Sequence, residues 1–110
     1  MNEPAGADGV SPRDDRPQRS EAIVREFVIL NKKGLHARPS AKFVQTVEKF
    51  DALVQVTRGG ETVGGTSIMG LMMLSAGPGS AIQVAATGAQ AADVMAALEA
   101  LIAERFGEEE

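Results

Sequence analysis

The glycine pair Gly59-Gly60 constrains the fold of this chain more than any other feature. It lies between two short stretches, residues 53–58 and 61–66, whose composition is typical of β-strands. Glycine adopts the positive φ angles of a two-residue primed turn without strain, so this segment predicts a β-hairpin. Because a hairpin makes neighbouring strands antiparallel, a mostly antiparallel sheet is favoured over a doubly wound parallel sheet.

Strands and helices alternate along the rest of the chain. Strand 23–30 is predicted from its content of Val, Ile and Phe, and strand 81–87 from alternating apolar residues. In the predicted helices, apolar residues recur at every third or fourth position. The predicted elements are, in chain order, strand 23–30, helix 37–50, strands 53–58 and 61–66, helix 68–74, strand 81–87 and helix 89–106. This βαββαβα order predicts an α+β fold with the helices on one face of the sheet, since their apolar stripes need a surface to cover.

The same patterns predict which side chains form the core. The predicted apolar stripe of the first helix comprises Ala37, Ala41, Phe43, Val44, Val47 and Phe50. The predicted inward residues of the strands are Val54, Val56, Val63, Ile82, Val84 and Ala86, and those of the last helix are Val94, Leu98, Leu101 and Ile102. Pro39 is compatible with the first helix because the first turn does not use its missing N–H.

Composition excludes several classes of function. With 110 residues, the chain is long enough for one domain with a single core. The net charge of −4 argues against a binder of duplex nucleic acid, and four phenylalanines as the only aromatic residues argue against stacking on RNA bases. The absence of cysteine excludes disulfides and thiolate metal sites and is compatible with a reducing cytoplasm.

The first 22 residues differ from the rest in composition. Residues 1–22 are rich in proline and charged side chains and contain no apolar core of a secretory signal, so we interpret them as a flexible N-terminal extension. The domain proper then comprises residues 23–110, and its closing Glu108-Glu109-Glu110 is interpreted as a solvated end. No apolar run approaches the length of a membrane span, so membrane insertion is not expected.

The only histidine, His36, directly precedes the first predicted helix. A helix start offers unpaired backbone N–H groups and a partial positive charge, so it favours an anion. An imidazole there could act as a nucleophile, a general base, a metal ligand or a structural helix cap. The metal hypothesis is weak because no carboxylate is near in the sequence, and a general base would need an orienting carboxylate or a nucleophile beyond Ser40.

Arg38 favours the phosphate-carrying alternative. Its guanidinium is permanently charged and matches phosphate oxygens in a forked geometry. Lys32 and Lys33 add positive charge just before the histidine. A nucleophilic His36 could therefore take a phosphoryl group that stays close to Arg38 and to backbone donors.

The segment from Ser67 to Met73 forms a second candidate site. Ser67 is predicted to cap the helix that follows, and a phosphate on it would suit the helix dipole. The helix is more apolar than one buried stripe requires, so we predict that Leu71 and Leu74 are core and that other residues form an exposed docking patch.

These two segments resemble the HPr family, the histidine-containing phosphocarriers of the bacterial phosphotransferase system. The run from Gly34 to Pro39, GLHARP, resembles the active-site motif of the family, and the run from Ser67 to Met72, SIMGLM, resembles its regulatory-serine motif. The resemblance implies an open-faced β-sandwich, with four antiparallel strands and three helices on one face. The resemblance does not distinguish carriers of the sugar branch of the phosphotransferase system from those of its nitrogen branch. Residues 64–67 resemble the nitrogen-branch carriers more closely.

The resemblance also implies a function. His36 would accept a phosphoryl group from enzyme I, which takes it from phosphoenolpyruvate, and pass it to enzyme IIA components. Arg38 would hold the phosphoryl oxygens, and Ser67 would be phosphorylated by an ATP-dependent HPr kinase/phosphorylase. Ile68, Met69 and Met72 would bind the partner proteins. The implied protein is a monomeric cytoplasmic carrier with no cofactor or metal, rather than an enzyme.

Two other hypotheses remain at this point. The chain could act mainly as a regulatory protein-binding module that signals through its phosphorylation state. Alternatively, it could be an unrelated small α+β domain that binds RNA or a metabolite.

Overall fold

Four strands and three helices follow one another in the predicted order in a computed structural model, which describes residues 22–108. The elements are β1 Ile23–Val28, α1 Ala37–Val47, β2 Leu53–Arg58, β3 Glu61–Gly64, α2 Ile68–Met73, β4 Ala81–Thr87 and α3 Ala91–Ala103, followed by a 3₁₀ turn at Arg105–Gly107. The predicted N-terminal extension lies outside the described residues, apart from Ala22.

The four strands form one antiparallel sheet with the spatial order β1-β4-β2-β3. The predicted hairpin is confirmed, since β2 and β3 pair directly on either side of Gly59 and Gly60. Their φ angles are +59° and +85°, so both residues adopt the left-handed backbone that a primed turn of type I′ requires.

The core lies between the three helices and one face of the sheet. The predicted inward positions of β2 and β4 are buried, and Val63 of β3 packs against them half-buried. From the helices, Phe43, Val44 and Val47 of α1 and Val94, Leu98 and Ile102 of α3 are buried, while Leu101 and Phe50 are partly buried. The assignment of Ala37 was wrong, since it is exposed at the first position of α1, and Ala41 of the same predicted stripe is only half-buried.

The opposite face of the sheet has no helix against it in the described part of the chain. Val24 and Val28 of β1 and Leu53 of β2 are exposed there, Leu53 by 67%. An open-faced sandwich with helices on one face is therefore confirmed.

The last helix, α3, was predicted to span residues 89–106 but spans only Ala91–Ala103. Local contacts explain where it begins and where it ends. At its start, the Gln90 side-chain oxygen accepts from the Asp51 N–H at 2.7 Å, and the Gln90 N–H donates to the Asp51 carbonyl at 2.9 Å. These bonds hold Gln90 outside helical geometry. At its end, Arg105 and Phe106 adopt positive φ angles, so the chain leaves the helical path after Ala103.

Gly34 fixes the loop that leads into α1. Its φ of +68° favours glycine, and a Cβ at this position would collide with the backbone of Ala76 and Gly77. The N–H of Leu35 donates to the Ala76 carbonyl at 2.9 Å. The close approach of these two loops places His36 beside the loop that follows α2.

Candidate functional site

His36 is the residue immediately before α1, as predicted. Its backbone is extended and its carbonyl accepts from the Ser40 N–H at 3.0 Å, but its side chain makes no capping hydrogen bond. The imidazole is 37% exposed. The hypothesis that the ring is a structural helix cap is therefore wrong, and the ring is open to a partner.

His36 lines a cleft of about 840 Å³ at the start of α1. The cleft lining is Lys32, Lys33, His36, Ala37, Arg38, Lys42, Gly107 and Glu108. Four of these residues are lysine or arginine, and the first-turn N–H groups of α1 have no intrahelical acceptor. The structure thus brings His36 and Arg38 together in a basic cleft on a chain whose net charge is negative.

The expectation that Glu108 belongs to a solvated end is wrong. Rather than lying in solvent, its side chain is only 18% exposed, and its Oε2 lies 3.0 Å from Nε2 of His36. The fold thereby supplies His36 with an orienting carboxylate from 72 positions further along the chain. No local pattern could have indicated this contact.

Asn31 holds the same carboxylate from the other side. Its side-chain Nδ2 donates to Oε1 of Glu108 at 3.0 Å and to the Gly34 carbonyl at 2.7 Å. Desolvation alone would raise the pKa of Glu108, but the hydrogen bonds from Asn31 and His36 and the charges of His36 and Arg38 lower that pKa below its ordinary value. Glu108 thus stays ionised beside the imidazole.

Lys42 is a further cleft residue that the sequence analysis did not single out. Its Nζ donates to the Phe106 carbonyl at 2.6 Å, which ties the 3₁₀ turn after α3 to α1. Lys42 follows Arg38 by one helical turn, so helical spacing was the available signal. For Asn31, the sequence offered only its closeness to the histidine.

The second predicted site lies on α2. Ser67 is its N-cap, as predicted, and the Ser67 hydroxyl accepts from the Gly70 N–H at 2.9 Å. Leu71 and Leu74 are buried, as predicted. Ile68 and Met72 are more than one-third exposed, and Met69 and Met73 are exposed by 69% and 68%. We call Ile68, Met69, Met72 and Met73 the methionine patch.

The methionine patch adjoins the histidine. A shallow depression of about 260 Å³ is lined by His36 and Met72 together with Lys33, Leu35, Ser75, Ala76 and Gly77. A partner that covers the patch would therefore reach the imidazole.

Residues 22–108 contain no group of three or more His, Asp or Glu side chains placed to hold a metal ion. Their longest helix has 13 residues, and none combines the length and apolar character needed to cross a bilayer.

The fold and the site together define the class of the protein, and comparisons with known proteins agree. Residues 23–104 match the family model described as "PTS HPr component phosphorylation site". An open-faced sandwich that presents one histidine at a helix start is the architecture of a small phosphocarrier of the bacterial phosphotransferase system. The chain belongs to the HPr family.

Curated relatives and solved structures support this assignment over most of the chain. Phosphocarrier protein HPr of Cupriavidus necator is 49% identical over 88 residues, which cover 80% of this chain and 99% of the relative. Phosphocarrier protein HPr of Neisseria meningitidis serogroup A is 51% identical with the same coverage. The crystal structure of HPr-C-His from Thermoanaerobacter tengcongensis has a TM-score of 0.76 and 40% identity, covering 80% of this chain and 99% of that one.

Proposed function

We propose that His36 accepts a phosphoryl group that enzyme I has taken from phosphoenolpyruvate, and passes it to an enzyme IIA component. One observation carries the proposal, namely the exposed imidazole at the start of α1 inside a cleft lined by Arg38 and three lysines. The protein is a carrier rather than an enzyme, because His36 itself holds the phosphoryl group between donor and acceptor.

The energetics of the cleft suit transfer better than storage. A helix N-terminus stabilises an anion by about 0.3 to 1 kcal/mol, and by up to about 2 kcal/mol when partly buried. A hydrogen bond from Arg38 to a phosphoryl oxygen adds about 1.5 to 3 kcal/mol. Contributions of this size keep the phosphoryl group bound to the protein but still allow its transfer to an acceptor. A carrier that passes the group between two proteins needs both properties.

The methionine patch supplies the docking surface in this proposal. Ile68, Met69 and Met72 contact enzyme I and enzyme IIA, since flexible, polarisable methionine side chains adapt to more than one partner. Ser67, at the edge of the patch, is the regulatory site for an HPr kinase/phosphorylase. The domain 23–110 acts as a cytoplasmic monomer.

The decisive experiment is phosphorylation by purified enzyme I and phosphoenolpyruvate. We expect an acid-labile, alkali-stable phosphate, which is characteristic of phosphohistidine. His36 is the only histidine, so His36→Ala abolishes this phosphate. Ser67→Ala is the matched control and is expected to accept the phosphoryl group as the wild type does. Acid-labile phosphate that persists in His36→Ala would refute the assignment.

A second candidate function is regulatory protein binding. The exposure of Met69 and Met73 favours it, because an apolar patch on a short helix serves any partner that recognises the phosphorylation state. In the host, the regulatory function predicts that His36→Ala leaves the phenotype intact while Ser67→Asp abolishes it. The carrier function predicts that His36→Ala alone abolishes transfer to enzyme IIA.

A further inference from the structure

Asn31 is an unusual residue to bury beside this site. Only Asn31 and Ser40 are buried polar side chains among residues 22–108, and Asn31 is 0% exposed. Its Oδ1 has no hydrogen-bond partner among those residues. A buried oxygen without a partner is unfavourable for folding, so the stability of this loop does not by itself account for an asparagine here.

The orientation of the Asn31 carboxamide follows from its two contacts. Both the Gly34 carbonyl and the Glu108 carboxylate only accept hydrogen bonds, so Nδ2 must face them. Turning the amide over would place Oδ1 against two oxygens. The unpartnered oxygen is therefore the consequence of donating to the Gly34 carbonyl and to Glu108 together.

The segment that follows α3 is also held in an unfavourable conformation. Arg105, Phe106 and Gly107 all have positive φ angles, of 58°, 58° and 76°. Arginine and phenylalanine rarely adopt this backbone, which persists here because Phe106 is fully buried and its carbonyl accepts from Lys42. The left-handed turn directs Glu108 back into the cleft.

We propose that Asn31 is a positioning residue for phosphoryl acceptance, which holds the Glu108 carboxylate against Nε2 of His36 so that Nδ1 presents its lone pair to the phosphoryl group. A carboxylate 3.0 Å from Nε2 accepts only when that nitrogen carries the proton. The hydrogen bond at one ring nitrogen thereby fixes the state of the other. This inference rests on the proposed carrier function of His36.

Charge is balanced at each stage of the transfer. The Nδ1 lone pair forms the bond to phosphorus, the bond from phosphorus to the donor atom breaks, and its electron pair stays on the donor. The imidazole keeps its proton on Nε2 and gains positive charge, which the Glu108 carboxylate stabilises. On delivery, the electrons of the nitrogen–phosphorus bond return to Nδ1.

The test combines NMR of the His36 ring with the rate of phosphorylation by enzyme I. At about pH 8.5, where an ordinary histidine is neutral, we expect the wild type to carry its proton on Nε2 and to exchange it slowly with water. Asn31→Ala is expected to speed that exchange and to slow phosphoryl acceptance by about three- to tenfold, as for loss of an orienting hydrogen bond. Unchanged exchange and an unchanged rate would overturn the proposal.

A double-mutant cycle separates positioning from a merely structural role. Because Asn31 acts through Glu108, we expect the double variant Asn31→Ala/Glu108→Ala to accept phosphate no more slowly than Glu108→Ala alone. Fully additive losses contradict the proposal. Glu104→Ala removes an exposed carboxylate that does not line the cleft, so it controls for charge and should leave both readouts unchanged.

Two outcomes distinguish this inference from the proposed function. A wild type that takes no phosphate from enzyme I refutes the carrier function, and the role of Asn31 fails with it. A wild type that is phosphorylated as fast as its Asn31→Ala variant refutes only the positioning role. If Asn31→Ala does not fold, Glu108→Ala breaks the same contact near the chain end, and unchanged Nε2 exchange in that variant overturns the inference.

Discussion

At the scale of single residues, His36 lies among charges opposite in sign to that of the whole chain. Lys32, Lys33, Arg38 and Lys42 surround the imidazole on a chain with a net charge of −4. A local basic cleft attracts anions, while the overall acidity disfavours nucleic acid. Glu108 is the one carboxylate among the residues lining that cleft, and it contacts the histidine.

Replacement of Arg38 tests the role of its forked guanidinium. We expect Arg38→Lys to lower the second-order rate constant of phosphorylation by enzyme I about tenfold, which corresponds to about 1.4 kcal/mol of lost hydrogen bonding. Rapid-quench kinetics measures this constant. Arg25→Lys is the matched control, because Arg25 pairs with Glu99 at 3.2 Å and does not line the cleft. An equal loss in both variants would contradict a specific role for Arg38.

The pKa of Glu108 predicts how stability depends on pH. This carboxyl has a native pKa below its ordinary value of 4.5, so the unfolded chain binds its proton more readily. Its contribution to stability is complete above pH 4.5 and is lost as the pH falls through the lower native pKa. Urea unfolding between about pH 3 and pH 6 should therefore show the difference between wild type and Glu108→Gln shrinking on acidification. A difference that grows at low pH would contradict this prediction.

At the scale of elements, the start of each of two helices carries a candidate site. At the start of α1, the His36 carbonyl accepts the first helical hydrogen bond from the Ser40 N–H, and the His36 ring makes no capping bond. The start of α2 instead uses the Ser67 side chain as a cap. Arg58 fixes the other end of α2, since its guanidinium donates to the Leu74 carbonyl at 3.0 Å.

The two roles of Ser67 can be separated by substitution. Ser67→Ala removes the cap and should lower the free energy of unfolding by about 1 kcal/mol. Ser67→Asp keeps an acceptor for the Gly70 N–H, so we expect near wild-type stability but weaker binding of enzyme I, owing to negative charge beside the methionine patch. Urea unfolding and calorimetric titration measure the two effects. Gln55→Glu adds the same charge on the open face of the sheet and should leave binding unchanged.

At the scale of the whole molecule, the sheet has one buried face and one open face. This asymmetry predicts very different costs for two leucine substitutions. Leu98→Ala, at a fully buried position of α3, should destabilise the protein by about 2 to 5 kcal/mol, whereas Leu53→Ala on the open face should cost less than about 0.5 kcal/mol. Chemical denaturation measures both. Similar costs would mean that the open face is covered.

The sequence determined the order of elements, the hairpin and most of the core. These features depend on local patterns: Gly59-Gly60 specifies the turn, and the apolar spacing specifies which face of each helix is buried. His36 and Arg38 could be identified for the same reason, because they are neighbours in the chain. Ala37 was misassigned, since periodicity does not say where along a helix its buried face begins.

Only the tertiary structure decided what surrounds the imidazole. Glu108 reaches His36 because the left-handed turn after α3, held by the buried Phe106 and by Lys42, directs it into the cleft. Asn31 then holds the carboxylate in place. Contacts between residues far apart in sequence depend on the closure of the whole fold, so no local pattern encodes them. The sequence thus indicated the residue proposed to accept the phosphoryl group, and packing specified the side chains around it.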